Sequence, residues 1–176
     1  MKSSRGILIV LVIVAVCLFV AAPAFASVSL NKYEKQLVTL INRQRIKHGL
    51  HKVRVNVKLV DAAQGHSTQM VKADYFSHDS VDPQGETWSS RIVRYGYQRT
   101  GYAYWKAGED IYWGAGLYSD PVACMDAWMH SPAHRAVILT KKFRDLGVGA
   151  YKTDDGYQGS DGVVWVFTLD MGRRTR

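Results

Sequence analysis

The chain has 176 residues, 47% hydrophobic and 22% charged, with a formal net charge of +8. The length suits one domain with a full core, and neither an internal repeat nor a low-complexity linker divides it. No nucleic-acid-binding module is recognisable, so the basic excess reads as solubility or as a fit to anionic surroundings such as cell-wall polymers and lipid head groups.

A basic start (Lys2, Arg5) leads into an apolar run from Ile7 to Val20 and then A-A-P-A-F-A-S. A run of about 14 residues ending in A-x-A fits a secretory signal peptide, 1–26, cleaved after Ala26. A membrane span needs roughly 20 apolar residues, and Pro23 interrupts this one. Cys17 follows Val16, where a lipid-attachment motif calls for a small residue. The remaining chain, 27–176, is expected to be a single exported domain with its core at about 33–172. Cys124 is then its only cysteine. With no internal disulfide, stability must come from packing, and Cys124 reads as a small buried hydrophobe of the helix P-V-A-C-M-D-A-W-M.

Asn31 with Glu34 forms a capping-box pattern ahead of the stripe Leu37, Leu40, Ile41, and Gly49 suits the stop of this first helix. A second helix should begin after Asn56, with Leu59, Ala63, His66 and Met70 on one face; His66 reads as a hydrogen-bonded core histidine. D-Y-F-S-H-D-S-V-D-P-Q-G-E is loop chemistry. Trp88, Ile92 and Tyr95 mark a third, short helix stopped by Gly96. From Tyr97 to Gly116 the chain is dense in Gly, Tyr and Trp without helical period, and reads as strand and loop. L-G-V-G-A-Y and G-V-V-W-V-F-T-L-D-M-G are strand signals joined by turn residues, which suggests a hairpin. Helices first and strands late imply an α+β fold in which helices cover a small, mainly antiparallel sheet.

The stretch M-H-S-P-A-H-R sets His130 and His134 four apart, a spacing that resembles the H-E-x-x-H helix of zinc proteases. Pro132 argues against a continuous helix: it tolerates the first helical position but not the interior, and it pushes Ser131 out of the α region. Ser131 therefore reads as an N-cap between two helices, and the two histidines need not share a face. Outside the helical stripes His78, Glu109 and His134 stand out. Two imidazoles and one carboxylate can hold a borderline divalent ion and leave positions open, although their spacing matches no local metal motif.

The order Y-F-S-H, A-G-E-D-I, A-W-M-H-S-P-A-H-R-A-V-I-L, F-R-D-L-G-V-G and V-W-V-F-T-L-D-M-G resembles the CAP superfamily of cysteine-rich secretory, antigen 5 and pathogenesis-related proteins, in its bacterial SCP-like form. L-I-N-R-Q-R-I-K-H-G-L is similar to that family's first helix. The resemblance implies a three-layer α-β-α sandwich with a cleft lined by two histidines and acidic residues. In some members that cleft holds a divalent metal, for which zinc is the first choice here, without being obligatory. His78 and His134 match the family's two histidines and Glu109 the glutamate of its G-E-N motif. These three are the expected metal ligands, with Asp110, His130 and Ser131 expected to line the cleft. Two departures stand out. Asp110 replaces the asparagine of G-E-N, and Ser131 stands where many eukaryotic members carry a second glutamate, so a tetrad is reduced to a triad.

Two functions compete at this stage. One is a monomeric binding module, secreted or held in the envelope, for lipid, cell-wall glycan or a protein partner, with Tyr102, Tyr104, Trp105, Tyr112 and Trp113 as a candidate aromatic rim. The other is a metal-dependent hydrolase with Glu109 as ligand or general base and Asp79 or Asp110 as alternative bases. No serine or cysteine nucleophile is assignable.

Overall fold

The computed structural model describes residues 29–81 and 85–176; the expected signal peptide, its cleavage point and Cys17 lie outside the described residues. The elements in order are α1 (Lys32–Lys47), β1 (Arg54–Val55), α2 (Val57–Lys72), α3 (Trp88–Arg94), β2 (Tyr104–Ala115), α4 (Pro121–His130), α5 (Pro132–Ile138), β3 (Asp145–Thr153) and β4 (Val164–Thr175). The strands form one sheet in the order β1-β3-β4-β2. The β3–β4 hairpin and the β2–β4 pair are antiparallel, and the two-residue β1, which the sequence did not announce, pairs parallel to β3.

The expected capping box starts α1. Asn31 Oδ1 accepts from the Glu34 backbone N–H at 3.0 Å, and Glu34 Oε2 accepts from Asn31 N–H at 2.7 Å. The same carboxylate reaches across to β3, where Oε1 accepts from Ala150 N–H at 3.0 Å. Glu34 is thus buried with its acceptors filled, the condition under which a buried charge is tolerated. Asn56 caps α2, and Thr87 caps α3, which closes at a left-handed Gly96.

Strand alternation distributes the helices over two faces. A Cβ on Gly147 or Gly149 would stand 2.0 Å from Leu59 C or 2.2 Å from Ala63 O, so α2 lies with its backbone directly on β3. That is why β3 reads L-G-V-G-A. The other face carries Leu146, Val148, Phe167, Leu169 and Met171, packed with Leu37 and Ile41 of α1 and with Cys124, Met125 and Trp128 of α4. Gly108 faces that side too, with Val137 of α5 and Phe143 each 3.3 Å from a hypothetical Cβ. The sheet is therefore covered on both faces, as the α-β-α reading expects. Cys124 is free and fully buried.

Candidate functional site: the His78–Glu109 pair at the edge of the sheet

Glu109 sits on β2, the edge strand, and its register partner on β4 is Asp170, which in turn faces Gly147 of β3. Directly opposite residues share a face, so Glu109 and Asp170 both lie on the α2 side of the sheet. His78 comes from the loop after α2, and its Nδ1–H donates to Glu109 Oε1 at 2.9 Å. The proton is placed on Nδ1 because a carboxylate only accepts. Arg91 of α3 donates from Nη2 to Glu109 Oε2 at 2.5 Å and to the His78 carbonyl at 3.0 Å. Both Glu109 and Arg91 side chains are 1% exposed, whereas His78 is 46% exposed. One buried ion pair thus fixes the loop, the short helix and the edge strand together.

The electrostatics follow from that packing. Burial works against the charge on Glu109, but the bond from His78 and the positive charge of Arg91 outweigh it and hold the carboxyl below its usual range. Asp170 is pushed the other way. Complete burial, and then the charge of Glu109 opposite it, raise its carboxyl well above the usual range. His66 of α2 lies behind them. Its Nε2 bonds the Ser77 carbonyl at 3.0 Å, and desolvation lowers its pKa to about 4. It is the neutral core histidine expected from its stripe.

His134 stands in the first turn of α5. Its pKa is lowered first by burial and second by the charge of His78, and its Nδ1 is buried without a hydrogen-bond partner. The break between α4 and α5 falls at Ser131, in extended conformation ahead of Pro132. His130 belongs to the last turn of α4 rather than to the joint, and its Nδ1 bonds the Asp126 carbonyl of its own helix at 2.9 Å. With a side chain 79% exposed and paired to Asp126, His130 does not join His78 and Glu109.

Several sequence expectations change at this point. Ser131 makes no capping hydrogen bond; proline's constraint on its backbone alone separates the helices. Asp110 is neither loop nor cleft. It belongs to the continuous strand β2, and alternation turns it to the opposite face from Glu109, where its charge is felt by Cys124. Asp79 Oδ1 takes the Trp88 backbone N–H at 2.9 Å and so orients α3. Glu109 has both oxygens engaged, so it is neither an open third ligand nor an uncommitted general base. Among the described residues no group of three His, Cys, Asp or Glu is gathered tightly enough to hold a metal. His78 Nε2 and His134 remain as nitrogen donors not used by Glu109, which stands behind His78 and fixes the orientation of its ring.

Three rings of the expected aromatic rim are engaged in packing within the fold. Trp105 donates to the Tyr97 carbonyl at 3.0 Å, Tyr112 to the Tyr118 carbonyl at 2.9 Å, and Trp113 meets Tyr157 edge-on at 5.6 Å. Sequence reasoning missed Arg91 and Asp170. Arg91 stands one turn from both Trp88 and Tyr95, on their apolar stripe, and Asp170 interrupts a strand of β-branched and aromatic residues. Both placements are visible signals of a buried charge.

The family model for the cysteine-rich secretory protein family matches residues 38–169. The chain belongs to this family. It is similar to two proteins of Bacillus subtilis: the uncharacterized protein YkwD, 34% identical over 121 residues (69% of this chain, 43% of that one), and the uncharacterized membrane protein YlbC, 33% identical over 116 residues (66% and 31%). The chain matches less than half the length of either relative. Among solved structures, an extracellular SCP-domain protein of Bacillus anthracis is 31% identical with a TM-score of 0.61, covering 84% of this chain and 45% of that one. An outer surface protein of Borrelia burgdorferi shares the fold at 18% identity, with a TM-score of 0.63 over 84% of this chain and 97% of that one. The α+β architecture is that of the family's domain.

Proposed function

We propose that the domain is a binding module acting outside the cell, its ligand-binding cleft centred on His78 and His134 and able to take up a divalent ion, zinc first. The observation that carries the reading is the oriented imidazole: buried Glu109 fixes the His78 tautomer and leaves Nε2 as an acceptor, while a second imidazole, His134, feels the charge of His78 and is biased toward its neutral form. Two imidazoles suit a borderline ion and leave coordination positions for a ligand's own donor. Export is supported by the secretory pattern before Ser27 and by the extracellular and outer-surface relatives. No helix among the described residues is long and apolar enough to cross a membrane. A binding role is favoured over hydrolysis because Glu109, the carboxylate bonded to His78, has both oxygens committed, one to His78 and one to Arg91.

Zinc titration by calorimetry tests the cleft. His78→Ala and His134→Ala should each remove binding, Glu109→Gln should weaken it roughly 10- to 100-fold as loss of an orienting partner does, and His130→Ala should leave it unchanged. Binding that survives in both His78→Ala and His134→Ala overturns the reading. Peptide, ester and glycan substrates incubated with the zinc-loaded protein should remain intact. Turnover that is lost in Glu109→Gln would instead establish a hydrolase.

A further inference from the structure

We propose that the end of the sheet where β2 begins and β4 ends binds the phosphate groups of a linear phosphodiester polymer, at a site separate from the His78 cleft. The structure gathers there five cations: Arg99 from the loop before β2, Lys106 from β2, Lys142 from the turn before β3, and Arg173 and Arg174 from β4. None of the five makes an ion pair with a carboxylate among the described residues, whose six ion pairs all involve other cations. Lys106 and Arg173 are direct cross-strand partners. Like charges in that position destabilise a sheet, and an anion between them removes the penalty.

Aromatic rings support these cations in place of carboxylates. Lys142 Nζ and Arg173 Cζ lie 5.5 and 6.0 Å from the centre of the Tyr104 ring, and Lys106 Nζ lies 5.8 Å from that of Phe143. On the other face Arg99 lies 4.2 Å from Trp105, and Arg174 lies 4.5 and 4.8 Å from Tyr97 and Tyr102. A guanidinium held on a ring face keeps its charge and can offer in-plane N–H donors to an oxyanion; Arg174 gives one of its donors, Nη1, to the Gly96 carbonyl at 3.2 Å and keeps the others. Tyr104, Lys142, Arg173 and Thr175 also line one cavity of about 310 Å³. Two cations and two hydroxyls around one space suit a tetrahedral phosphate better than a planar carboxylate.

The distribution of charge selects the kind of phosphate carrier. Strand alternation puts Lys106 and Arg173 on one face of the sheet and Arg174 on the other, with Arg99 beside Arg174's face through Trp105. One phosphate cannot touch both groups, and a flat bilayer meets one face at a time, whereas a flexible chain of phosphates can pass round the sheet end. Binding of this kind releases counterions and therefore weakens steeply with salt.

The test is fluorescence anisotropy with a tagged synthetic poly(glycerol phosphate) oligomer, the full chain and a salt series. Lys142→Gln/Arg173→Gln and Arg99→Gln/Arg174→Gln should each weaken binding by roughly tenfold or more. Each should also flatten the log–log salt slope by about 1.4, at roughly 0.7 counterion released per neutralised phosphate on a single-stranded polyanion. Lys32→Gln/Lys35→Gln, which removes the same charge at the start of α1, should change neither quantity, and all three variants should still unfold in a single cooperative transition as the parent does. His134→Ala should bind the oligomer as the parent does, which separates this surface from the cleft. Equal losses in the Lys32/Lys35 variant, or equal affinity for polyglutamate of matched charge, would reduce the effect to net charge and overturn the proposal. Capture by phosphatidylglycerol vesicles without binding of the free oligomer would overturn it in favour of a lipid surface.

Discussion

Asp110→Asn keeps the size and shape of a buried side chain and removes only its titration. Burial, and behind it the charge of the neighbouring Glu109, raise the Asp110 carboxyl from 3.8 to about 8. It is 1% exposed, so solvent does little to relieve the shift. A folded-state value raised above the unfolded one means that the proton bound by the native state contributes in full below about pH 4 and is lost as pH rises toward 8. Over that window the unfolded chain releases its proton while the native chain keeps it. One pKa unit is worth about 1.36 kcal/mol, so between about pH 5 and pH 7.5 the parent should lose about 3 kcal/mol relative to the variant. Any constant cost of placing an amide there cancels in the difference between the two pH values, as do the other titrating groups. Urea unfolding followed by tryptophan fluorescence, with both proteins at both pH values, measures it. A stability difference that is the same at both would show that Asp110 ionises normally, and the assignment of its side chain to the closed face under α4 would fail.

Other consequences are simpler to test. His66 has a folded value of about 4 against 6.5, so the stability present above about pH 6.5 should fall by about 3 kcal/mol on acidification to pH 4; His66→Gln should flatten that part of the urea-unfolding profile. Gly149→Ala drives a methyl into the backbone of α2, 2.2 Å from Ala63 O, and should cost about 3 kcal/mol, the upper end for overpacking, read as a fall in melting temperature. Cys124 should react with a thiol reagent only at the rate of unfolding, since it is fully buried and burial raises its thiol well above the ordinary value; rapid labelling of the native protein would contradict its place in the core.

What the sequence made legible follows the local character of each signal. The caps at Asn31 and Asn56, the helix break imposed by Pro132, the stripe through His66 and the closing hairpin are written within a turn or two of chain, and they appear as read. The expectation of Asp110 at the cleft rests on its place beside Glu109 in G-E-D, and adjacent strand residues point to opposite faces. Gly108 is the small residue that lets Val137 and Phe143 approach β2, and the strand runs on through Asp110. The sequence brought Glu109 to His78 only by resemblance, since 31 positions separate them and no local pattern spans that distance.

Arg91 shows what a local reading leaves out. Alone on a short helix a charged residue is assigned to solvent, because an exposed arginine costs nothing and a buried one costs several kcal/mol unless it is paired. The partner that makes burial tolerable here is Glu109, on another element 18 positions away. Two buried carboxylates opposite one another on β2 and β4 could not both ionise. Arg91 biases which does: its guanidinium pairs Glu109 and favours the charge there, while burial and that charge push the Asp170 carboxyl up. That choice keeps a charged carboxylate behind His78, and the charge fixes the imidazole's tautomer. The chemistry of the His78 imidazole therefore depends on a residue that reaches it only through Glu109 and the His78 carbonyl.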